Sequence, residues 1–281
     1  MAVWQPHLLQ PPFSFRPLFL CEGLVDCVFV GCGAFSCVYR CVWRGGVVAV
    51  KVPAQFRRDF EEGRPYRFTQ APEAVQREVE AAKSLSHRNV LRLVEALPGY
   101  GVLIYEWGDG GSLRAQRLSG GDVLKAFVQV AWGLRYLHSR GVVHGDLKPE
   151  NVIVSKGLCK IADLSSVRRL LSYSSGRGAC TPGFCAPEQR FSDLAVESRA
   201  RGFEDRRDVY QLANLTLSLL GAEAVDGEEW SPERVERAAQ AAEEVGLGRL
   251  IRQMLSREPW RRPSAEEAAK RAADVWRRLY S

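Results

Sequence analysis

The sequence predicts an α+β, two-lobed chain: a small antiparallel β lobe carrying one main helix, then a larger, mainly helical lobe. Three observations lead there. Residues 24–52 alternate β-branched runs with tight glycine turns, a helical pattern follows before two further strands, and from residue 203 onward the chain reads as nearly all helix. A length of 281 residues suits one large domain or two lobes, and 46% hydrophobic with 26% charged residues is too apolar for disorder. No repeat recurs at a fixed period.

Taken in order, Val25–Val30 is β-prone and runs into the glycine-rich turn Gly31-Cys-Gly33-Ala-Phe-Ser36. Val38–Trp43 forms the next strand, Gly45-Gly46 turns, and Val47–Val52 returns before Pro53. Residues 53–72 are polar and punctuated by Pro and Gly, a connecting loop. Pro72–Leu85 is helical, with Pro72 suited to a first turn and Val75, Val79 and Ala82 on one face. Strands follow near Leu91–Ala96 and Gly101–Tyr105, and Gly108-Asp-Gly-Gly111 reads as a linker. Beyond it, Asp122 is expected to cap a helix whose Val123, Phe127, Val130, Ala131, Leu134 and Leu137 keep the 3.6-residue period, with Gly141 ending it. A helix over Ala265–Leu279 closes the chain. The divisions expected are residues 1–23 as an extension packed on the small lobe through Trp4, Phe13, Phe15 and Phe19, 24–107 as that lobe, and 108–281 as the larger one. A cleft between two such lobes is a natural ligand site.

The formal charge of +6 is dispersed over pairs such as Arg57-Arg58, Arg168-Arg169, Arg206-Arg207 and Arg261-Arg262, each near acids. Without a run of five like charges, no nucleic-acid partner is expected. Residues 1–20 are apolar but broken by Pro6, Pro11, Pro12 and Pro17, unlike a signal peptide, and no stretch approaches the ~18 apolar residues of a membrane span. A soluble, cytoplasmic chain with no membrane partner is expected, its oligomeric state left open. The eight cysteines form no C-x-x-C pair and read mainly as small buried hydrophobes or free thiols. The sharper alternative is that Cys32 with Cys37, or Cys180 with Cys185, closes a redox-sensitive loop. Three asparagines, two methionines and an arginine-heavy basic set are compatible with a thermophile, where intracellular disulfides are tolerated.

The residues that carry chemistry fall in a fixed order. A glycine-rich turn alone is weak evidence, although only glycine lets backbone approach phosphates closely. Val48-Ala-Val-Lys51 places a lysine near a strand end among apolar neighbours, costly to bury without an anion, and Glu78 on the following helix could hold it. His144-Gly-Asp146-Leu-Lys148-Pro-Glu-Asn151 supplies a carboxylate, a cation and an amide oxygen within six residues. Phosphoryl transfer needs that set: a carboxylate for the nucleophile's proton, a cation on the transferred group, and an oxygen ligand for Mg²⁺. Lys160-Ile-Ala-Asp163 adds a second carboxylate at a strand end.

In this order the motifs resemble the eukaryotic-type Ser/Thr protein kinase catalytic domain over roughly residues 24–278, which implies the two-lobed protein kinase-like fold. Thr181-Pro-Gly-Phe-Cys-Ala186-Pro187-Glu188, Asp208-Val-Tyr-Gln-Leu-Ala and Glu258-Pro-Trp-Arg-Arg262-Pro-Ser continue the match. The resemblance implies ATP and Mg²⁺ (or Mn²⁺) as cofactors and a protein substrate. It assigns Lys51 to the α/β-phosphates, positioned by Glu78, and Asn151 and Asp163 to the metal. Asp146 takes the substrate hydroxyl's proton and Lys148 steadies the γ-phosphoryl group. Gly31 and Gly33 cover the phosphates, Val30, Val38, Ala49 and Ile153 sandwich adenine, Glu106 to Gly108 offer hinge backbone, and Tyr105 lines the back of the pocket. Arg262 pairs with Glu188, and Asp208 is the buried aspartate of the family's central helix. Lys148 with Thr181-Pro-Gly matches the Ser/Thr branch.

The chain departs from the pattern in places. Gly145 stands where most members carry an arginine that receives a loop phosphate, so activity is expected not to depend on phosphorylation of Ser172, Tyr173, Ser174 or Ser175. Ser165 replaces a glycine after Asp163, which restricts backbone flips, and Ser36 stiffens the phosphate flap. The 53–72 and 190–207 segments look enlarged, as solvated surface or as docking sites. His-Gly-Asp also resembles small-molecule phosphotransferases of the aminoglycoside or choline type, and a non-catalytic pseudokinase scaffold is the third reading. The Thr181–Glu188 segment argues against the first, and retention of Lys51, Glu78, Asp146, Asn151 and Asp163 against the second.

Overall fold

Side chains alternate between buried and half-buried along residues 36–43 and 48–53, as they must where a sheet has one face in a core and one toward a cleft. A computed structural model describes residues 23–33, 35–64, 73–166, 168–169 and 180–280. The expected packing of the N-terminal extension, the helix-starting Pro72 and the four hydroxyl residues at 172–175 lie outside these residues. Strands β1 (Leu24–Cys32), β2 (Ser36–Trp43) and β3 (Gly46–Pro53) are followed by a short helix α1 (Arg57–Glu61) and by α2 (Glu73–Lys83). Strands β4 (Leu93–Leu97) and β5 (Val102–Glu106) complete an antiparallel sheet of order β1-β2-β3-β5-β4. One face holds Cys37, Tyr39, Cys41, Val50, Val52 and Ile104 in a core of its own. On the other, Val79 of α2 packs against Leu103 and Tyr105.

The 53–72 segment is not loop throughout. Helix α1 forms there because Phe60 is fully buried and its ring lies 4.8 Å from that of Tyr39, while Arg57 and Glu61 pair one turn apart at 2.9 Å. Burying a phenylalanine contributes about 1.5–3 kcal/mol and anchors a short helix whose polar sequence shows no periodicity of its own.

Beyond the sheet, β6 (Gly111–Ser112) leads to α3 (Gly120–Ser139), then β7 (Val142–Val143), β8 (Val152–Ser155), β9 (Leu158–Ile161) and β10 (Arg168–Arg169). β6 pairs with β8, so the Gly-rich 108–111 linker ends inside a small sheet of order β6-β8-β9. Helices α4 (Pro187–Arg190), α5 (Ser192–Ala200), α6 (Arg206–Leu219), α7 (Pro232–Ala241), α8 (Gly248–Met254) and α9 (Ala265–Tyr280) follow. The apolar stripe of α3 and the almost wholly buried α6 form the centre of the main core, with α9 against α3. Ser119, not Asp122, is the cap of α3: its hydroxyl accepts the Asp122 amide at 3.3 Å, and the Asp122 carboxylate reaches back to the Ser119 amide. Among the described residues, no helix is long and apolar enough to cross a membrane.

The free-thiol expectation fails for six cysteines. Cys27–Cys41, Cys32–Cys37 and Cys180–Cys185 are disulfides, with Cα atoms 4.1, 4.0 and 5.4 Å apart. The first two staple the β1–β2 hairpin, the second across its last register pair. Cys159 is free and buried, and burial pushes its thiol up to about 11, which keeps it protonated and unreactive. Reduction of the unfolded chain should therefore expose six thiols beyond those titrated without reductant; equal counts in the two samples would remove the disulfides from the description.

Candidate active site

Strand β3 carries Lys51 to the cleft edge, and α2 presents Glu78 to it. The Lys51 ammonium donates to both Glu78 carboxylate oxygens at 2.9 and 2.8 Å and to Asp163 Oδ1 at 2.9 Å. Burial opposes the Lys51 charge, but Asp163 and Glu78 outweigh it and hold the ammonium above the usual lysine range. Burial likewise opposes ionisation of Asp163, yet Lys51 holds its carboxyl well below the usual range. Asp163 therefore stays charged, with 41% of its side chain open to the cleft. It sits at φ 58°, a left-handed conformation that costs a non-glycine residue about 1–3 kcal/mol and that aspartate tolerates better than most. The Ser165 amide reaches its Oδ1 at 3.4 Å.

The loop from His144 to Asn151 is fixed from below by α6. Asp208, fully buried, accepts the His144 amide (2.8 Å), the Gly145 amide (2.8 Å) and His138 Nε2 (2.8 Å). The His144 ring donates from Nε2 to the Ala162 carbonyl at 3.0 Å, so its Nδ1 is free to accept the Asp146 amide at 3.3 Å. Asn151 donates from Nδ2 to the Asp146 carbonyl at 2.9 Å, which turns Oδ1 away from that carbonyl. Gly145 takes φ 82°, where any side chain is strained and a Cβ would lie 3.3 Å from the Ser166 carbonyl. An arginine has no comfortable place on this backbone.

Thr181 closes the site from the segment after Cys180. Its amide and its hydroxyl both donate to Asp146 Oδ1 at 2.8 Å, and Lys148 Nζ donates to the same hydroxyl at 2.5 Å and to Asp146 Oδ2 at 3.0 Å. A threonine hydroxyl thus lies between the carboxylate and the cation.

The walls of the cleft are apolar. Val30, Val38, Ala49 and Ile153 are all half-buried, and a Cβ on Gly108 would meet Ile153 Cγ2 at 2.0 Å, so the linker's first glycine is required by contact. The Glu106 side chain is occupied elsewhere, accepting the Arg92 amide (2.8 Å) and Lys160 (2.9 Å), which leaves the cleft to its backbone. Gly31 and Gly33 have neither a left-handed φ nor a close neighbour that demands glycine. Asn151 and Asp163 are hard oxygen donors of the kind Mg²⁺ takes when phosphates and water complete its shell, and no cluster of three metal-ligating side chains exists among the described residues.

Comparison with known proteins matches the family described as protein kinase domain to residues 25–272. The chain belongs to the protein kinase family. It is 31% identical over 217 residues to serine/threonine-protein kinase Pkn1 of Myxococcus xanthus, covering 69% of this chain and 29% of that one. It is 30% identical over 253 residues to serine/threonine-protein kinase CTR1 of Arabidopsis thaliana (84% and 29%), and 34% over 200 residues to serine/threonine-protein kinase mos of Xenopus laevis (63% and 51%). The chain thus spans between about a third and a half of these relatives. As in the family pattern, Arg262 pairs with Glu188 across 74 positions, both fully buried.

Reading the sequence gave Tyr105 only a lining role. Its hydroxyl donates to Glu78 Oε1 at 2.6 Å, with burial and the carboxylate raising its pKa well above the ordinary tyrosine value, so it holds the Lys51 partner in place. Gln189 and Gln211 were not singled out at all, and both touch the catalytic loop. Gln211 lies inside the Asp208-Val-Tyr-Gln-Leu-Ala stretch and Gln189 follows Glu188, but neither has a chemical signal of its own; the fold brings them there.

Proposed function

We propose that this kinase-family chain transfers the γ-phosphoryl group of ATP, with a divalent ion, to Ser and Thr hydroxyls of protein substrates, its own chain included. The observation that carries the reading is the Lys51 ammonium held at once by Glu78 and Asp163, since phosphoryl transfer of this type needs both partners in place. In this reading residues 24–107 hold the nucleotide: Gly31 and Gly33 cover its phosphates, Val30, Val38, Ala49 and Ile153 flank adenine, and backbone from Glu106 to Gly108 meets its edge. Residues 108–281 carry the catalytic loop. Asn151 and Asp163 would hold the metal, which when bound would supply positive charge to neutralise the phosphates. Lys51 orients the α/β-phosphates. Asp146 accepts the hydroxyl proton and Lys148 stabilises the transferring group. Thr181, already hydrogen-bonded to both, marks where a substrate hydroxyl fits, which supports Ser/Thr rather than a longer phenolic acceptor.

The test is transfer of γ-labelled phosphate from ATP·Mg²⁺ to the chain itself and to a generic basic protein, with Lys51→Met beside the wild type. Label on Ser and Thr is expected, reduced in Lys51→Met by about 100- to 1,000-fold, the loss typical of one preorganised electrostatic contact. Transfer to small alcohols alone, or nucleotide binding without transfer, overturns the reading. The same assay with alanine at Ser172, Tyr173, Ser174 and Ser175 should run at close to the full rate.

A further inference from the structure

We infer that Gln211 and Gln189 are positioning residues for Asp146, forming a buried amide clamp that fixes the peptide units on either side of it. The inference rests on the kinase reading above. Gln211, on α6, is fully buried and uses every polar atom it has toward this end. Its Oε1 accepts the Leu147 amide at 2.8 Å, and its Nε2 donates to the Gly145 carbonyl at 2.8 Å and to Gln189 Oε1 at 3.0 Å. Gln189, on α4 and only 4% exposed, donates from Nε2 to the same Gly145 carbonyl at 2.9 Å, while its Oε1 also accepts the Ala186 amide at 3.0 Å. Asp146 therefore lies between two residues whose backbones are both held by Gln211, with Gln189 a second donor to the Gly145 side.

Gly145 makes the clamp necessary. A glycine at φ 82° has no side chain to pack and the widest backbone freedom of any residue. Asp208 restrains its amide but not its carbonyl, and two amide donors converge on that carbonyl. The clamp also joins two regions. Gln189 belongs to the helix that follows the Thr181–Ala186 segment, so the two glutamine amides join the substrate-facing loop and the catalytic loop through a buried link of uncharged side chains and backbone. That gives this chain a permanent coupling between the two loops in a place where Gly145 offers no side chain to make one.

The consequences are specific. A carboxylate displaced by about 1 Å loses roughly 100-fold in rate, while nucleotide contacts through Lys51 and Asp163 lie elsewhere. Gln211→Leu, similar in volume, strands the Leu147 amide and removes one donor from the Gly145 carbonyl. It should lower kcat by about 10- to 100-fold with KM for ATP unchanged. Gln189→Leu leaves the Gly145 carbonyl one donor and should lose less, about 3- to 10-fold, again in kcat alone, on the same argument from displacement. Because both act on one carbonyl, the double variant should lose less than the product of the single effects. Gln189→Leu decides the matter if Gln211→Leu does not fold, since it leaves the Leu147 contact intact. Folded variants with wild-type kcat, or with kcat and ATP affinity falling together, overturn the clamp. A wild type that transfers no phosphate overturns the kinase reading instead, so the two failures are told apart.

Discussion

Asp146→Ala is expected to cut phosphoryl transfer to protein by about 100- to 10,000-fold, the range for loss of a positioned general base. The geometry narrows what that loss means. Asp146 Oδ1 accepts from both the amide and the hydroxyl of Thr181, and Oδ2 accepts from Lys148, so in the proposed reading the carboxylate organises the acceptor side of the cleft besides taking the proton. Removing it releases Lys148 and Thr181 together. Lys51, Glu78 and Asp163 make no contact with it in this network, so nucleotide affinity should be retained while kcat falls. Asp146→Asn separates the two roles, since an amide oxygen can still accept from the Thr181 amide but cannot take the substrate proton. Steady-state label transfer and equilibrium ATP binding, measured on both variants, check this. An Asn variant at wild-type rate would rule out Asp146 as the proton acceptor.

The strands were readable because half-buried sheets impose a two-residue period, and Val38–Trp43 and Val47–Val52 keep it. What escaped was structure without a period. Helix α1 has one buried phenylalanine in a run of charged residues, and nothing local distinguishes that from loop. The cap of α3 lies three residues before Asp122: Ser119 is the first half of a capping box whose second half is Asp122. Cys27–Cys41 was not legible from register: a regular hairpin closed at Cys32 and Cys37 places Val28 opposite Cys41, and only the irregularity between Phe29 and Gly31 brings Cys27 there.

At the site, the sequence offers candidate residues but not the relations between them. Lys51, Glu78, Asp146, Asn151 and Asp163 stand out as candidates because the proposed phosphoryl transfer restricts which side chains can serve. That Lys51 reaches Asp163 across 112 positions is a property of the folded chain. The same holds for Tyr105 on Glu78 and for the two glutamines, ordinary residue types whose neighbours are set by the packing of α4 and α6. The φ of Gly145 was equally invisible: the sequence shows a missing arginine, the backbone shows why a side chain is strained there.

Arg262→Ala should destabilise the chain by about 3–5 kcal/mol, the cost of leaving a buried charge without its partner. Glu188 and Arg262 side chains are both fully buried, and the guanidinium makes its two bonds to the carboxylate at 2.7 and 2.8 Å. Its other donors reach the carbonyls of Ser256 (2.8 Å), Arg206 (3.1 Å) and Arg257 (2.9 Å), so all five N–H groups are used, and the Tyr210 ring lies 4.8 Å from it. Alanine strands one carboxylate and three carbonyls. The carboxylate belongs to the residue before Gln189, so loosening it also loosens the amide that grips Gly145. Thermal unfolding should drop by on the order of 10 °C in a chain of this size. Arg252→Ala is the contrasting variant: it breaks an equally short ion pair with Glu236, at 2.7 Å, on the open surface. Water replaces that partner at little cost, so its melting temperature should scarcely move. Equal shifts for the two variants would mean that burial is not what makes the Glu188–Arg262 pair matter.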